Sequence, residues 1–269
     1  MNMDKQIDII ETLDWYLWAG VDETCSDEVC LSAVKESEAI SAKPVTQNIP
    51  VTPTKNSNFV GGAMASVSDA LKNAEEACLK AKTLDELKDV LSRFDGCVLR
   101  KTATNTVFGD GCPTAKVMLV GEAPGADEDR QGKPFVGRCG KLLDKMLQAI
   151  NIERSACFIT NVLPWRPPGN RPPTDDEIAV CLPFLRKQIE LVKPDFLLIL
   201  GGIALKSITD CPDSISRVRG KWLEYKISDE KNVQVLATYH PSYLLRSSSQ
   251  KAKTWTDLLR LKKRMEESA

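Results

Sequence analysis

Four short runs in this chain are apolar almost throughout: "AKVMLVG" (115–121), "ACFITN" (156–161), "DFLLILG" (195–201) and "VQVLATYH" (233–240). Between and after them lie stretches with apolar residues at helical spacing: "GKLLDKMLQAI" (140–150), "TDDEIAVCLPFLRKQIELV" (174–192), "GIALKSI" (202–208) and "KTWTDLLRLKKRMEE" (253–267). A strand without polar alternation has no solvent face, and an intervening helix lets two strands run parallel. The rhythm predicts an α/β chain whose parallel sheet is covered on both faces. Ligands in such sheets sit beyond the carboxyl ends of the strands. Those ends carry "GEAPG", Asn161, the pair Gly201 and Gly202, and "HPS", so polar and glycine-rich chemistry converges on one crevice.

The rest of the chain divides by composition. "TLDELKDVLSRF" (83–94) opens the folded body, with Thr83 as N-cap, Glu86 three residues on, and Leu84, Leu87 and Leu91 in a stripe. The main domain is therefore placed at 83–269. Ahead of it, residues 41–82 read as a flexible linker, chiefly on "SAKPVTQNIPVTPTKNSNFVGGAMAS". Residues 1–40 hold a helix with Ile7, Ile10, Leu13, Leu17 and Trp18 at helical spacing. It is either a packing extra for the body or a tethered protein-binding helix anchored by Trp15, Tyr16 and Trp18.

Charge follows the same division. Residues 1–83 carry 7 Lys/Arg against 13 Asp/Glu, and the remainder 29 against 24. A mildly basic body behind an acidic segment suits a domain that binds a polyanion. The nine cysteines form no Cys-x-x-Cys pair, and no apolar stretch approaches the roughly 20 residues that span a bilayer. The expectation is a cytoplasmic monomer with reduced thiols and no membrane contact.

"GEAPGADEDRQGKPFVGRCG" (121–140) has neither the Walker spacing nor the dinucleotide glycine pattern. Gly121 and Gly125 still allow a tight strand-exit turn, stiffened by Pro124. Glu122 inside it either caps neighbouring amides or orients a water. Asp127, Glu128 and Asp129 read as a solvated loop face. Phe135, between glycines, is a core residue or a stacking platform. Asn161 ends a strand, where its amide caps the next turn or reads a base edge. Uracil presents O4 and N3–H, so one Asn can donate to the first and accept from the second; cytosine presents the reverse. "PWRPPGNRPP" (164–173) offers Arg166 and Arg171 for phosphates.

His240 is the only histidine. It has no histidine partners for zinc and no nucleophilic Ser or Cys motif to serve. What remains is a donor to charge developing on a ligand. After Pro241 and Ser242, which fix the turn, Leu244 and Leu245 read as an exposed pair that wedges between stacked bases, with Arg246 on a flanking phosphate.

Four motifs, "GEAPGADEDRQGKPFVGRCGKLL", "ITNVLPWRPPGNRPPT", "LILGGIAL" and "YHPSYLLR", in this order, resemble the uracil-DNA glycosylase superfamily, in particular its family-4 bacterial and archaeal enzymes. The resemblance runs from about Phe94 to the C-terminus. It implies a three-layer α/β/α fold with a central four-stranded parallel sheet, and hydrolysis of the deoxyuridine N-glycosidic bond in DNA by base flipping. By motif, Glu122 would activate the water, Phe135 would stack on the everted uracil and Asn161 would read its edge. His240 would hydrogen-bond O2 as uracil leaves. Gly121, Ala123 and Gly125 would line the base pocket; Gly201, Ser242, Leu244, Leu245 and Arg246, with Arg166 and Arg171, would meet the DNA.

Two departures from the family pattern matter. Family-4 enzymes usually carry a 4Fe–4S cluster on four cysteines, and the matching positions here are Phe94, Cys97, Trp165 and Cys181. Two thiolates cannot complete that ligand set, so the expectation is no cluster and no other cofactor. Ala126 stands where many relatives carry an acidic residue, which leaves Glu122 as the main carboxylate. The competing readings are a non-catalytic or product-trapping binder of uracil-containing or abasic DNA, and a nucleotide-binding α/β enzyme, which the missing phosphate loops oppose.

Overall fold

The computed structural model describes residues 66–209, 211–227 and 231–268. The helix expected within 1–40 and most of the expected linker lie outside them.

The first described helix, α1 (Val67–Lys80), falls where the composition predicted linker. Its stripe of Ala70, Ala74 and Cys78 is buried, and Ser66 caps it by accepting from the Asp69 amide. The linker boundary at 82 is thus too late, because small residues pack closely while carrying little apolar signal. Helix α2 (Leu84–Arg93) follows, with Thr83 as N-cap and Leu87 and Leu91 buried, as the spacing predicts.

The sheet has six strands among the described residues: β1 (Asp110–Gly111), β2 (Val117–Gly121), β3 (Cys157–Asn161), β4 (Phe196–Leu200), β5 (Trp222–Lys226) and β6 (Asn232–Thr238). Their order is β1-β3-β2-β4-β6-β5. The inner four are parallel, and antiparallel β1 and β5 close the edges. The expected four-stranded parallel sheet is therefore the centre of a mixed sheet. The edge strands went unpredicted because β1 has two residues and β5 lacks a continuous apolar run.

Apart from Asn232 and Gln234 on β6, residues of the inner strands are buried, and they alternate between two cores. Met118, Val120, Leu197, Ile199, Val233 and Val235 face one; Val117, Leu119, Ile159, Leu198, Leu200 and Leu236 face the other. The first core is closed by α1, α2, α5 (Asp175–Val192) and α6 (Gly202–Thr209); the second by α4 (Arg138–Ala149), α8 (Pro241–Arg246) and α9 (Lys251–Glu267). Two short helices, α3 (Ala126–Gln131) and α7 (Ile215–Val218), complete the set. Helix α5 runs through Pro183 and starts from a capping box between Thr174 and Glu177. The chain goes from β2 to β3 on one side and to β4 on the other, so the order reverses at β2. A crevice opens there.

Candidate active site

A cavity of about 920 Å³ lies beyond the carboxyl ends of β2, β3, β4 and β6, lined by Glu122, Phe135, Asn161, Gly201, His240 and Arg246 among others. The register pairs Gly121 with Asn161, so the two strand ends leave the sheet side by side. Backbone bonds from Val162 to the Gly121 carbonyl (2.9 Å) and from Leu163 to the Glu122 carbonyl (3.0 Å) prolong that pairing into the turn. Gly121 is required by space: a Cβ there would lie 2.5 Å from Asn161 Oδ1 and 2.5 Å from Phe135 Cζ.

Asn161 is buried, and its Oδ1 has no hydrogen-bond partner within the protein. An orphaned buried acceptor costs roughly 1–3 kcal/mol, which a ligand donor would recover. Phe135 stands against it with a backbone φ of 52°, in the left-handed region that a side chain of this size rarely adopts. Arg154 holds that conformation by donating to the Pro134 carbonyl (2.7 Å) and the Phe135 carbonyl (3.1 Å) while paired with Asp144 at 2.8 Å. Gly140 admits the Phe135 carbonyl, since a Cβ there would sit 1.8 Å from it.

His240 caps α8. Its Nδ1 accepts from the Ser242 amide at 3.1 Å and lies 2.8 Å from the Ser242 hydroxyl. A backbone N–H can only donate, so Nδ1 presents its lone pair and the ring proton sits on Nε2. Burial, aided by the charge of Arg246, lowers the imidazole pKa to about 4. The ring is neutral near pH 7. It lies 5.6 Å from Phe135 between centroids, tilted by 35°. Gly201, at φ 97°, lets it approach, for a Cβ would be 3.1 Å from the His240 Cβ. Glu122 is half-buried on the same cavity, and burial raises its carboxyl pKa.

The uracil DNA glycosylase superfamily model matches residues 108–259. The chain belongs to this superfamily. It is 43% identical over 168 residues to the Type-4 uracil-DNA glycosylase of Sulfurisphaera tokodaii, covering 61% of this chain and 76% of that one. It is also 43% identical over 168 residues to the Archaeoglobus fulgidus Type-4 enzyme (61% and 84% of the two chains), and 42% over 175 residues to that of Thermotoga maritima (62% and 88%).

Not every expected site residue of this superfamily member reaches the crevice. Leu244 is fully buried in the second core, because Pro241–Arg246 forms a helix rather than a loop and turns it inward. On the same helix Leu245 is 41% and Tyr243 36% exposed, and Tyr243 lines the cavity against the Tyr239 ring at 5.0 Å. Arg171 does line the cavity, where a two-pronged ion pair with Glu177, at 2.6 and 2.9 Å, also ties the proline-rich loop to α5. Arg166 bonds Asn170 at 2.7 Å and does not line the cavity described above.

The acidic run also departs from its expected solvated state. Glu128 and Asp129 are buried. Asp129 accepts the amides of Thr104 (2.8 Å) and Asn105 (3.1 Å), and Glu128 accepts three amides from two loops. Asp127 pairs with Arg130 at 2.5 Å, in line with a surface position. Neither Glu128 nor Arg154 belongs to a pattern that sequence reasoning singles out.

The four cluster-equivalent positions form a packed corner. Cys97, Cys181 and Trp165 are buried, the Trp165 indole donates to Thr106 Oγ1 at 3.0 Å, and Phe94 packs on Phe184 at 5.0 Å. The two thiols influence each other: the neighbouring Cys181 lowers the Cys97 pKa, while Cys97 and burial raise that of Cys181. Two thiols and two aromatic rings do not fit a four-thiolate cluster. Among the described residues, no group of three or more His, Cys, Asp or Glu is arranged to hold a metal ion, and no helix is long and apolar enough to cross a membrane.

Proposed function

We propose that the chain hydrolyses the N-glycosidic bond of deoxyuridine in DNA, releasing uracil and leaving an abasic site. The observation that carries this reading is the unpartnered Asn161 Oδ1. It lines, with the Phe135 ring and a neutral imidazole, a cavity with room for an everted pyrimidine. Uracil N3–H supplies the missing donor and its O4 accepts from the same carboxamide. Cytosine has no N3–H and would leave the oxygen orphaned, so it is rejected.

In this reading Phe135 stacks on the base and Asn161 grips its edge. As the bond from the sugar to N1 breaks, its electron pair passes to the uracil ring and O2 becomes anionic. The His240 Nε2–H faces that oxygen, and its hydrogen bond strengthens as charge grows, which favours the transition state over the bound substrate. Water adds to the sugar carbon and gives its proton to Glu122, whose negative charge also faces the sugar cation. A raised pKa suits a carboxylate that must take a proton. Ala123 and the Gly121 and Gly125 backbones shape the base pocket, and Gly201 with Ser242 brings His240 to the DNA. Arg246 and Arg166 meet flanking phosphates, while Tyr243 and Leu245 occupy the space the base vacates. Leu244 serves the fold, and Arg171, held by Glu177 on the cavity wall, keeps the proline-rich loop beside the DNA.

We read the Phe94, Cys97, Trp165 and Cys181 corner as apolar core with no iron–sulfur cluster. A monomer, and a segment at 1–40 that either packs on the body or binds a protein partner, complete the proposal on sequence grounds.

Uracil release from a uracil-containing oligonucleotide tests the reaction, with wild type and Glu122→Gln side by side. Repeated turnover by wild type and a slowed variant are expected. A binder without chemistry would hold the oligonucleotide and release no uracil in either form, and a product trap would stop after one turnover.

A further inference from the structure

Glu128 is a buried carboxylate with a place in the fold that the reaction above does not use. Its Oε2 accepts the Gly125 amide at 3.1 Å, in the turn that carries Glu122. Its Oε1 accepts the amides of Val136 at 2.9 Å and Gly137 at 2.8 Å, directly after Phe135. Gly125 is the N-cap of α3 and Gly137 the N-cap of α4, so the charge lies where two sets of otherwise unpaired helical amides point. The approach is close at both glycines: a Cβ on Gly125 would be 2.7 Å from Glu128 Oε2, and one on Gly137 would be 2.9 Å from Asp127 Oδ2 and 3.3 Å from Glu128 Oε1.

We propose that Glu128 is a positioning residue that fixes the Glu122 turn and the Phe135 loop relative to each other. The inference rests on the roles assigned to Glu122 and Phe135 above. One rigid side chain spans the two loops, so the water-activating carboxylate and the stacking face share a single reference point. Misplacement of reacting groups by about 1 Å can cost on the order of 100-fold in rate.

Glutamine in place of Glu128 separates the two halves of this link. It has one acceptor oxygen and one amide that only donates. Directing the oxygen to Val136 and Gly137 keeps two bonds and sets the amide against the Gly125 N–H, donor to donor. The opposite orientation keeps one bond and loses two. The first is favoured, so E128Q holds the Phe135 loop and frees the Glu122 turn.

The test measures single-turnover uracil release, competitive inhibition by free uracil, and melting temperature for wild type, E128Q and E128A. E128Q is expected to keep uracil inhibition within about 3-fold of wild type while the chemical rate falls about 10- to 100-fold. E128A is expected to lose both. A wild-type rate in E128Q, or equal losses of rate and uracil affinity in it, would overturn the proposal. So would a change in melting temperature with rate and affinity intact. Failure of wild type to release uracil would instead remove the underlying reading, so the two failures are distinct. Should E128A not fold, the E128Q comparison decides alone.

Discussion

Asn161 and Phe135 converge on one point: Asn161 Oδ1 and Phe135 Cζ each lie 2.5 Å from where a side chain on Gly121 would begin. A carboxamide and an aromatic ring are thereby set close enough to meet one flat molecule, as the proposed reading of a base by edge and face requires. Gly121→Ala is the smallest change that disturbs this. Its methyl must displace one group or the other, and both are buried. Uracil release is expected to fall by about 100-fold or more while circular dichroism stays native. Near-normal release would show that the two groups do not grip one base.

The imidazole makes a prediction about pH. In the unfolded chain His240 titrates near 6.5, and in the fold at about 4. Between these values the unfolded state binds more protons, so stability rises with pH across that window. The contribution is fully present above pH 6.5 and lost as pH falls through about 4, amounting to a few kcal/mol. Urea unfolding at pH 7 and pH 4.5 should show a larger loss for wild type than for His240→Asn, which has nothing to titrate there. The wild-type rate should show no inflection near pH 6.5, because the donor is already neutral.

The short helix after His240 separates packing from DNA contact. Leu244 is fully buried, so Leu244→Ala should cost about 2–5 kcal/mol of stability and affect single- and double-stranded substrates alike. Tyr243→Ala and Leu245→Ala should leave the melting temperature nearly unchanged. They should lower release from duplex uracil several-fold more than from single strands, since only a duplex must be held open. The reverse pattern would return Leu244 to the role of wedge.

The aromatic corner predicts indifference to iron. Purified protein should be colourless, with iron far below one cluster per chain. A chelator should leave turnover unchanged, and Cys97→Ser should retain activity. Stoichiometric iron with a brown colour would mean that other thiols complete a ligand set.

Much of the crevice was legible in the sequence for a physical reason. Parallel strands buried on both faces leave uninterrupted apolar runs, and topology forces their ends, with Glu122, Asn161 and His240, to one side. What escaped depends on long-range partners. Glu128 and Asp129 look solvated in a run of acids; amides 3 to 25 residues away bury them. Helix α1 hid behind small residues, Ala70, Ala74 and Cys78, whose burial only the packing reveals. Leu244 escapes the sequence because "HPSYLLR" resembles an open loop, whereas it forms a helix whose buried face carries Pro241 and Leu244, three positions apart. Arg154 reaches the Phe135 loop from 19 residues away, and no local pattern announces it.

A crystal structure of Glu122→Gln with single-stranded uracil-containing DNA bears most directly on the central claim. One everted uracil should lie against Phe135, with Asn161 Oδ1 and His240 Nε2 each within about 3 Å of that same ring's N3 and O2. A uracil held by one of the two residues alone, or bound outside this crevice, would contradict the account.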